Sequence, residues 1–331
     1  AGYQISGPTG AMSAVLIVLA SRYGLEGVWV AGALAGGMIL LLGIFDLGQL
    51  INFIPTAVIS GFTSGIAVII FIGQIDNLLG IQTEAAENAL VKLSHYLRFD
   101  FTPNWTAVGI SALVIGLMVF WPKRWQMRFP SSLAALIAAT ALTALLSLNV
   151  PTIGAIPQTI LLDDRLRLEA IPWDHLDDLL GAAFSIAALG AIESLLCGAV
   201  GSRMTGQKFV SNQELIAQGI GNLIIPFFGG VPATAAIART SVAVKSGGRT
   251  RVVSLVHAGV LLLAALALSP VLARVPLAAL AGVLAVTAWR MNEWFEIRQI
   301  FGRRFKSAMF AFVSTLIATV ALDLTQAIIL G

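Results

Sequence analysis

Charge is scarce in this chain. Only 11% of its residues are charged, against roughly 25% in an average soluble domain, whereas 57% are hydrophobic. The single cysteine, Cys197, lies in an apolar stretch, so a disulfide framework and a cysteine zinc cluster are both excluded. This composition excludes an ordinary soluble domain and predicts an integral membrane protein.

Apolar runs recur along the whole sequence. A spanning helix needs about 20 mostly apolar residues, and such runs lie near 11–22, 27–45, 55–75, 104–121, 130–148, 181–200, 212–228, 250–268, 277–290 and 306–323. The sequence therefore predicts an all-α polytopic membrane protein. The first run, and a helix beginning near Thr234, are too short to cross alone, which predicts two half-helices, each preceded by a short extended segment such as residues 3–7.

Two small motifs occur twice. The sequence SGPTGA at residues 6–11 is echoed by GVPATA at 230–235, about 224 residues later, and each copy places proline, threonine and small residues where an apolar helix begins. Pro55-Thr56-Ala57 with Gly61 returns as Pro276-Leu277-Ala278 with Gly282, at an offset of about 221 residues. Repeated halves that each carry an interrupted helix are typical of secondary transporters with a site at the membrane midplane.

The starts of the two half-helices are candidate anion sites. Helix N-termini expose unpaired N–H groups and the positive end of the macrodipole. The donors would be the amides around Thr9, Gly10 and Ala11 in the first copy and those around Thr234, Ala235 and Ala236 in the second, with the threonine hydroxyls as further donors. In the alternative interpretation, proline and threonine simply begin two ordinary helices.

Two ionisable residues lie within the predicted membrane segments. Glu193 is the acidic residue in the middle of a predicted span, where a carboxylate is costly and by default functional. It is a candidate proton or sodium coupler, or else a structural carboxylate bonded to a neighbouring helix. Arg239, about one turn into the second half-helix, would add positive field to the anion site, pair with Glu193, or extend to the cytoplasmic surface.

Basic residues gather on one side if the spans alternate, and the positive-inside rule makes that side cytoplasmic. They are Lys123, Arg124, Arg128, Arg203, Lys208, Lys245, Arg249, Arg251, Arg290, Arg298, Arg303, Arg304 and Lys306. The linkers 76–103 and 149–180 then face outward.

These motifs together resemble the SulP family of anion transporters, also called the solute carrier 26 family. The resemblance covers essentially the whole chain and is carried by ESLL at 193–196, SNQELIAQG at 211–219, FGGVPAT at 228–234, AIART at 236–240 and GGRT at 247–250, with SGPT at 6–9. It aligns the chain with membrane segments three to thirteen and the start of fourteen. We therefore expect segments one and two, and a cytoplasmic STAS domain, to lie outside this chain.

The resemblance implies a seven-plus-seven inverted repeat of the uracil-permease type. It implies a core domain at 1–45 and 181–268 and a gate domain at 46–180 and 269–331, with elevator-like alternating access and the anion held between segments three and ten. It also implies a homodimer in a bacterial inner membrane, a sulfate, bicarbonate or dicarboxylate substrate, and Glu193 as the cation-coupling group. Enzymatic activity, a cofactor and a nucleic-acid partner are not implied.

Several functions stay open at this point. The leading hypothesis is a proton- or sodium-coupled anion symporter. An uncoupled exchanger or channel would make Glu193 structural. A nucleobase permease shares the fold, but it needs side chains that read a neutral heterocycle, and Arg239 beside two positive helix ends favours an anion. A non-transporting scaffold would leave the buried charges as costs without purpose.

Overall fold

A computed structural model of the 331-residue chain provides the structure. It describes residues 2–49, 55–83, 89–98, 102–126, 128–156, 158–159, 162, 164–167, 169, 176–245, 247–292, 294–302 and 306–321.

Helices make up almost all of the regular structure in these residues, which confirms the predicted helical class. The elements are β1 (Ser6–Gly7), α1 (Gly10–Ile44), α2 (Thr56–Leu79), α3 (Ala89–Arg98), α4 (Trp105–Phe120), α5 (Lys123–Gln126), α6 (Ser131–Leu145), α7 (Leu176–Thr205), α8 (Ser211–Ile224), β2 (Thr234–Ala235), α9 (Ile237–Lys245), α10 (Val252–Ala267), α11 (Ser269–Leu272), α12 (Leu277–Met291), α13 (Trp294–Gly302) and α14 (Lys306–Ala321). A 3-10 turn, Ile225–Phe228, follows α8.

Three of these helices are long and apolar enough to cross a bilayer: Val15–Ile44, Thr56–Leu79 and Asp177–Ser202. Four shorter apolar helices, α4, α6, α10 and α14, occupy further predicted runs. The first run and the second are joined within α1, which is broken at Gly24, where φ is 67° and ψ is −171°. Only glycine adopts that conformation readily. The break at Gly24 therefore separates the predicted run 11–22 from the predicted run 27–45.

The chain divides into two compact units. The first contains Ala1–Ile59 and Thr159–Leu262. Here α1 packs along α7 and α8. Gly36 and Gly219 make the approach of α1 and α8 possible, because an added Cβ would lie 2.6 Å from the Leu223 nitrogen at Gly36 and 2.5 Å from the Leu40 nitrogen at Gly219. Small residues at helix contacts serve this purpose in membranes.

The second unit contains Ser60–Gln158 and Leu263–Leu322. Its core lies between α4, α6 and α12 and includes Ile110, Val114 and Ala279. The two proline motifs begin helices as predicted: Pro55, which belongs to the first unit, directly precedes α2, and Pro276 directly precedes α12. Their glycines also act alike: a Cβ at Gly61 would meet the backbone of α14 at 2.5 Å, and one at Gly282 would lie 3.0 Å from a methyl group of Val114 on α4.

Candidate functional site

The two repeated motifs meet in a short antiparallel strand pair. Ser6 lies opposite Ala235 and Gly7 lies opposite Thr234. α1 follows β1, and α9 follows β2. Because the strands are antiparallel, the two helices leave the pair from opposite ends, each beginning within three residues of it. The extended segment predicted before each half-helix is present, and the pairing brings the two helix starts into one place.

Thr9 caps the start of α1. Its Oγ1 accepts a hydrogen bond from the Met12 amide at 3.2 Å, which satisfies one of the donors that a helix start leaves open. The first backbone bond of the helix runs from the Ser13 amide to the Thr9 carbonyl at 2.9 Å. The amides of Gly10 and Ala11 therefore precede the first helical hydrogen bond, as the sequence predicts, and have no partner within α1.

The Thr9 hydroxyl also contacts Glu193 on α7. Thr9 Oγ1 donates to Glu193 Oε2 at 2.9 Å, so a single hydroxyl group joins the α1 start to the carboxyl group of Glu193. A hydroxyl carries one proton and two lone pairs, and here the proton goes to Glu193 while a lone pair receives Met12. The Glu193 side chain is partly buried, at the level where the two motifs meet.

The Thr234 hydroxyl is not available as a further donor, contrary to the prediction. It is fully buried, and its Oγ1 donates to the Gly190 carbonyl at 3.1 Å. It also shares a 2.9 Å hydrogen bond with Ser194 Oγ. Since the hydroxyl proton of Thr234 goes to α7, this side chain fastens β2 to α7 and is not free to bind an anion.

The second half-helix begins later than predicted. Thr234 and Ala235 form β2, and α9 starts at Ile237. The Ala235 amide lies 3.4 Å from Ser194 Oγ, and the Ala236 amide donates to the Ile5 carbonyl at 3.0 Å. The first helical bond runs from Thr240 to Ala236, so the amides before it are those of residues 237–239. The Ala235 and Ala236 amides are thus engaged within the protein, and the amides that precede the first helical bond are those of the next three residues.

Arg239 extends from α9 to the start of α1. Its Nη2 donates to the Pro8 carbonyl at 2.6 Å, the residue immediately before the cap. The guanidinium lies against Gly7, where an added Cβ would be 2.6 Å from Nη1. Of the three roles considered for Arg239, this geometry favours positive field at the helix starts, because the charge is placed beside the α1 N-terminus.

Two kinds of binding group lie around Thr9. The first amides of two helices and a guanidinium offer donors and positive potential, which suit an anion. The Glu193 carboxyl and the Thr9 hydroxyl offer oxygen atoms, which suit a proton or a hard cation. No cluster of three or more His, Cys, Asp or Glu able to hold a metal occurs in the described part of the chain.

A sequence profile described as the sulfate permease family matches residues 2–315. The chain belongs to the sulfate permease family. The family resemblance seen in the motifs is thereby confirmed.

Individual relatives agree with this assignment. The putative sulfate transporter YvdB of Bacillus subtilis is 38% identical over 340 residues, covering 99% of this chain and 62% of that protein. The bicarbonate transporter BicA of Synechocystis sp. is 30% identical over 336 residues, covering 99% and 59%. The chain therefore spans about three fifths of the length of these curated relatives. The solved transmembrane domain of a cyanobacterium bicarbonate transporter BicA is 29% identical with a TM-score of 0.89, covering 99% of this chain and 84% of that one.

The sequence analysis did not identify a row of buried polar residues on α8 that binds β1 and the residue before β2. Asn222 on α8 binds the backbone of Ala233, the residue directly before β2. Its Nδ2 donates to the Ala233 carbonyl at 2.9 Å, and its Oδ1 accepts from the Ala233 amide at 2.8 Å. Gln218, one turn earlier, donates to Ser6 Oγ on β1 at 2.7 Å. The signal was present: Glu214, Gln218 and Asn222 are spaced by four, so they share one face of α8, and all three are buried.

Proposed function

We propose that this chain is the membrane part of a secondary transporter of small anions, in which the anion binds between the first turns of α1 and α9. The observation that carries the proposal is the β1–β2 pair, which brings two helix N-termini together. Each N-terminus contributes unpaired amides and a partial positive charge. One such start is common in proteins. Two joined by a strand pair, with Arg239 bonded to the carbonyl of Pro8, concentrate positive potential in one place.

The cation-coupling part of the proposal rests on the contact between Thr9 and Glu193. Protonation of Glu193, or sodium binding between its carboxylate and Thr9, would neutralise a negative charge beside the anion site and so favour loading of the anion. This favours a symporter. An uncoupled exchanger or channel, the second candidate, would use Glu193 only to tie α7 to α1.

The transport cycle would be elevator-like, with a core domain at 1–45 and 181–268 moving against a gate domain at 46–180 and 269–331. The compactness of each unit supports this proposal, although the unit boundaries at Ile59, Thr159 and Leu262 differ from the domain boundaries expected from the family. The parallel roles of Gly61 and Gly282 support the inverted repeat on which such a cycle depends.

The relatives guide the choice of substrate, because one is named a sulfate transporter and another a bicarbonate transporter. Sulfate, bicarbonate and a four-carbon dicarboxylate are therefore the anions to test. A bacterial inner membrane is the expected setting, since the two relatives compared by sequence are bacterial, and a homodimer is what the family resemblance implies.

The test is uptake of these three labelled anions into proteoliposomes of the full-length protein, with and without an inward proton or sodium gradient. We expect gradient-stimulated uptake of one of them. Glu193→Gln should remove the stimulation while anion binding persists. The matched control is Glu26→Gln, which changes an exposed carboxylate on α1 and should leave uptake unchanged. Uptake that ignores both gradients would identify an exchanger or channel.

Anion binding is tested separately. Arg239→Ala should weaken binding of the transported anion, measured by titration calorimetry on purified protein. Arg251→Ala, which removes an exposed arginine of the same unit, is the control for net charge. Equal affinity in the wild type and in Arg239→Ala would contradict the placement of the site.

A further inference from the structure

Helix α4 has two different faces. One is packed: Ile110, Val114 and Met118 are buried, and Ser111 Oγ donates to the Ala278 carbonyl of α12 at 3.0 Å. The other faces a groove of about 480 Å³. The groove is lined by Ala112, Leu113, Gly116, Leu117, Phe120, Trp121 and Pro122. Positions 112, 113, 116, 117, 120 and 121 recur at helical spacing, so the groove follows the axis of α4 toward its C-terminal end.

Gly116 leaves the groove open. Among the described residues, no atom lies within 4 Å of a Cβ added at this position. Glycines in membrane helices commonly permit close contact with another helix, as Gly282 does on α12. Gly116 instead faces unfilled space, and the lining is almost wholly apolar, so the groove suits a flexible hydrocarbon and not water.

Aromatic and basic residues surround the end of the groove. The Trp121 and Trp125 rings meet edge to face at 5.6 Å, and Trp121 Nε1 donates to the Phe129 carbonyl at 3.1 Å. Tryptophan is enriched where a helix reaches the membrane surface. Arg124 and Arg128, which are adjacent in sequence to Trp125 and Phe129, are exposed. The sequence from 104 to 148 contains no Asp or Glu, so acidic side chains of this segment do not neutralise them.

We propose that the groove on α4 binds one anionic phospholipid, with an acyl chain along Gly116 and the phosphate at Arg124 and Arg128. The apolar lining fits the chain and the arginines fit the headgroup. Basic sites on the cytoplasmic side of membrane helices bind anionic headgroups in this way, and the positive-inside rule assigns this end of α4 to that side. A second copy of the chain fits less well, because a twofold contact here would bring like charges together.

The first test compares two glycines of the same helix. Gly116→Leu fills the groove, whereas Gly109→Leu adds the same side chain at a position that is also open but does not line it. Full-length protein would be purified from nanodiscs containing palmitoyl-oleoyl-phosphatidylglycerol and phosphatidylethanolamine, and the retained lipids counted by native mass spectrometry. We expect Gly116→Leu to lose retained phosphatidylglycerol and Gly109→Leu to keep it. Equal retention by both variants would overturn the proposal.

The second test removes the headgroup partners without touching the helix. Since one basic residue near a membrane surface contributes about a fivefold preference for anionic lipid, Arg124→Gln and Arg128→Gln should each lower the ratio of phosphatidylglycerol to phosphatidylethanolamine by about fivefold. An unchanged ratio in the double variant would overturn the assignment of the headgroup. Light scattering supplies a further outcome: if Gly116→Leu, but not Gly109→Leu, changes the oligomeric state, the groove is a contact between chains and the lipid proposal is wrong.

Discussion

The hydrogen bond between Thr9 and Glu193 offers a direct test of cation coupling. The perturbations are Thr9→Val, which preserves the shape of the side chain and removes the hydroxyl, and Glu193→Gln, which preserves a carbonyl acceptor and removes the charge. Thr9→Val also loses the cap on the Met12 amide, which costs about 1 kcal/mol. Because that loss occurs whichever residue stands at 193, it cancels in a double-mutant cycle.

The remaining coupling free energy reports the charge of Glu193. A hydrogen bond to a charged group contributes about 1.5–3 kcal/mol and a neutral one about 0.5–1.5 kcal/mol. The cycle subtracts the bond to glutamine from the bond to glutamate, so an ionised Glu193 predicts a coupling of about 1 kcal/mol. A protonated carboxyl accepts much as glutamine does, and the coupling then falls near zero.

The assay is unfolding of all four proteins by sodium dodecyl sulfate in mixed micelles, repeated across a range of pH and of sodium concentration. If Glu193 takes up the coupling proton, the coupling free energy should rise from near zero at acidic pH to about 1 kcal/mol at alkaline pH. If it binds sodium, the coupling should change with sodium at fixed pH. A coupling free energy that responds to neither ion would refute the reasoning and leave Glu193 as a structural residue. The control is Thr9→Ser, which keeps the hydroxyl and should behave as the wild type throughout.

Three further predictions concern contacts around the site and outside it. Gly7→Ala would displace the Arg239 guanidinium, because the new Cβ would lie 2.6 Å from Nη1. Loss of a charge-assisted bond predicts that the anion affinity measured by calorimetry falls by about tenfold. Unchanged affinity would refute the role of Arg239. Asn222→Leu removes two buried bonds to the backbone before β2 and should lower the unfolding free energy by about 2–4 kcal/mol, with a smaller loss contradicting its structural role. Burial and a hydrogen bond to Asp76 raise the pKa of Tyr96 above the ordinary value for tyrosine. The free energy of unfolding should therefore fall as pH rises above about 10. Tyr96→Phe should reduce this dependence on pH in alkaline unfolding experiments.

The repeated prolines predicted much of the architecture. Pro8 and Pro232 located both helix starts approximately. Pro8 lies between β1 and the start of α1, where proline is favoured, whereas Pro232 precedes β2 and α9 begins five residues later. The apolar runs located the long apolar helices, since length and hydropathy suffice for that purpose in membranes, but they did not predict the shorter helices α3, α5, α11 and α13. The pairing of β1 with β2 was not predictable, because strands of two residues have no periodicity to read.

The roles of the two threonines could not be inferred from the motif alone. Thr9 follows Pro8 directly, whereas Thr234 follows Pro232 by two residues. Successive side chains of an extended segment point to opposite sides. Because of this shift of one residue, the Thr234 side chain points toward α7, whereas Thr9 lies at the start of α1. The polar face of α8 was visible in the spacing of Gln218 and Asn222, but its partners on β1 and before β2 are set by tertiary packing.

Thr9 gives the proposed coupling a physical route. Its hydroxyl has one proton, and the structure assigns that proton to Glu193 while the cap bond to Met12 uses a lone pair. If Glu193 becomes neutral, the pull on that proton weakens, and the negative charge that opposes an anion at the neighbouring amides of Gly10 and Ala11 disappears at the same time. By linkage, an anion bound at those amides must favour the neutral or cation-bound form of Glu193 by the same free energy. Anion affinity and cation affinity should therefore rise together in the wild type, and Glu193→Gln, which is permanently neutral, should bind the anion without any dependence on pH or sodium.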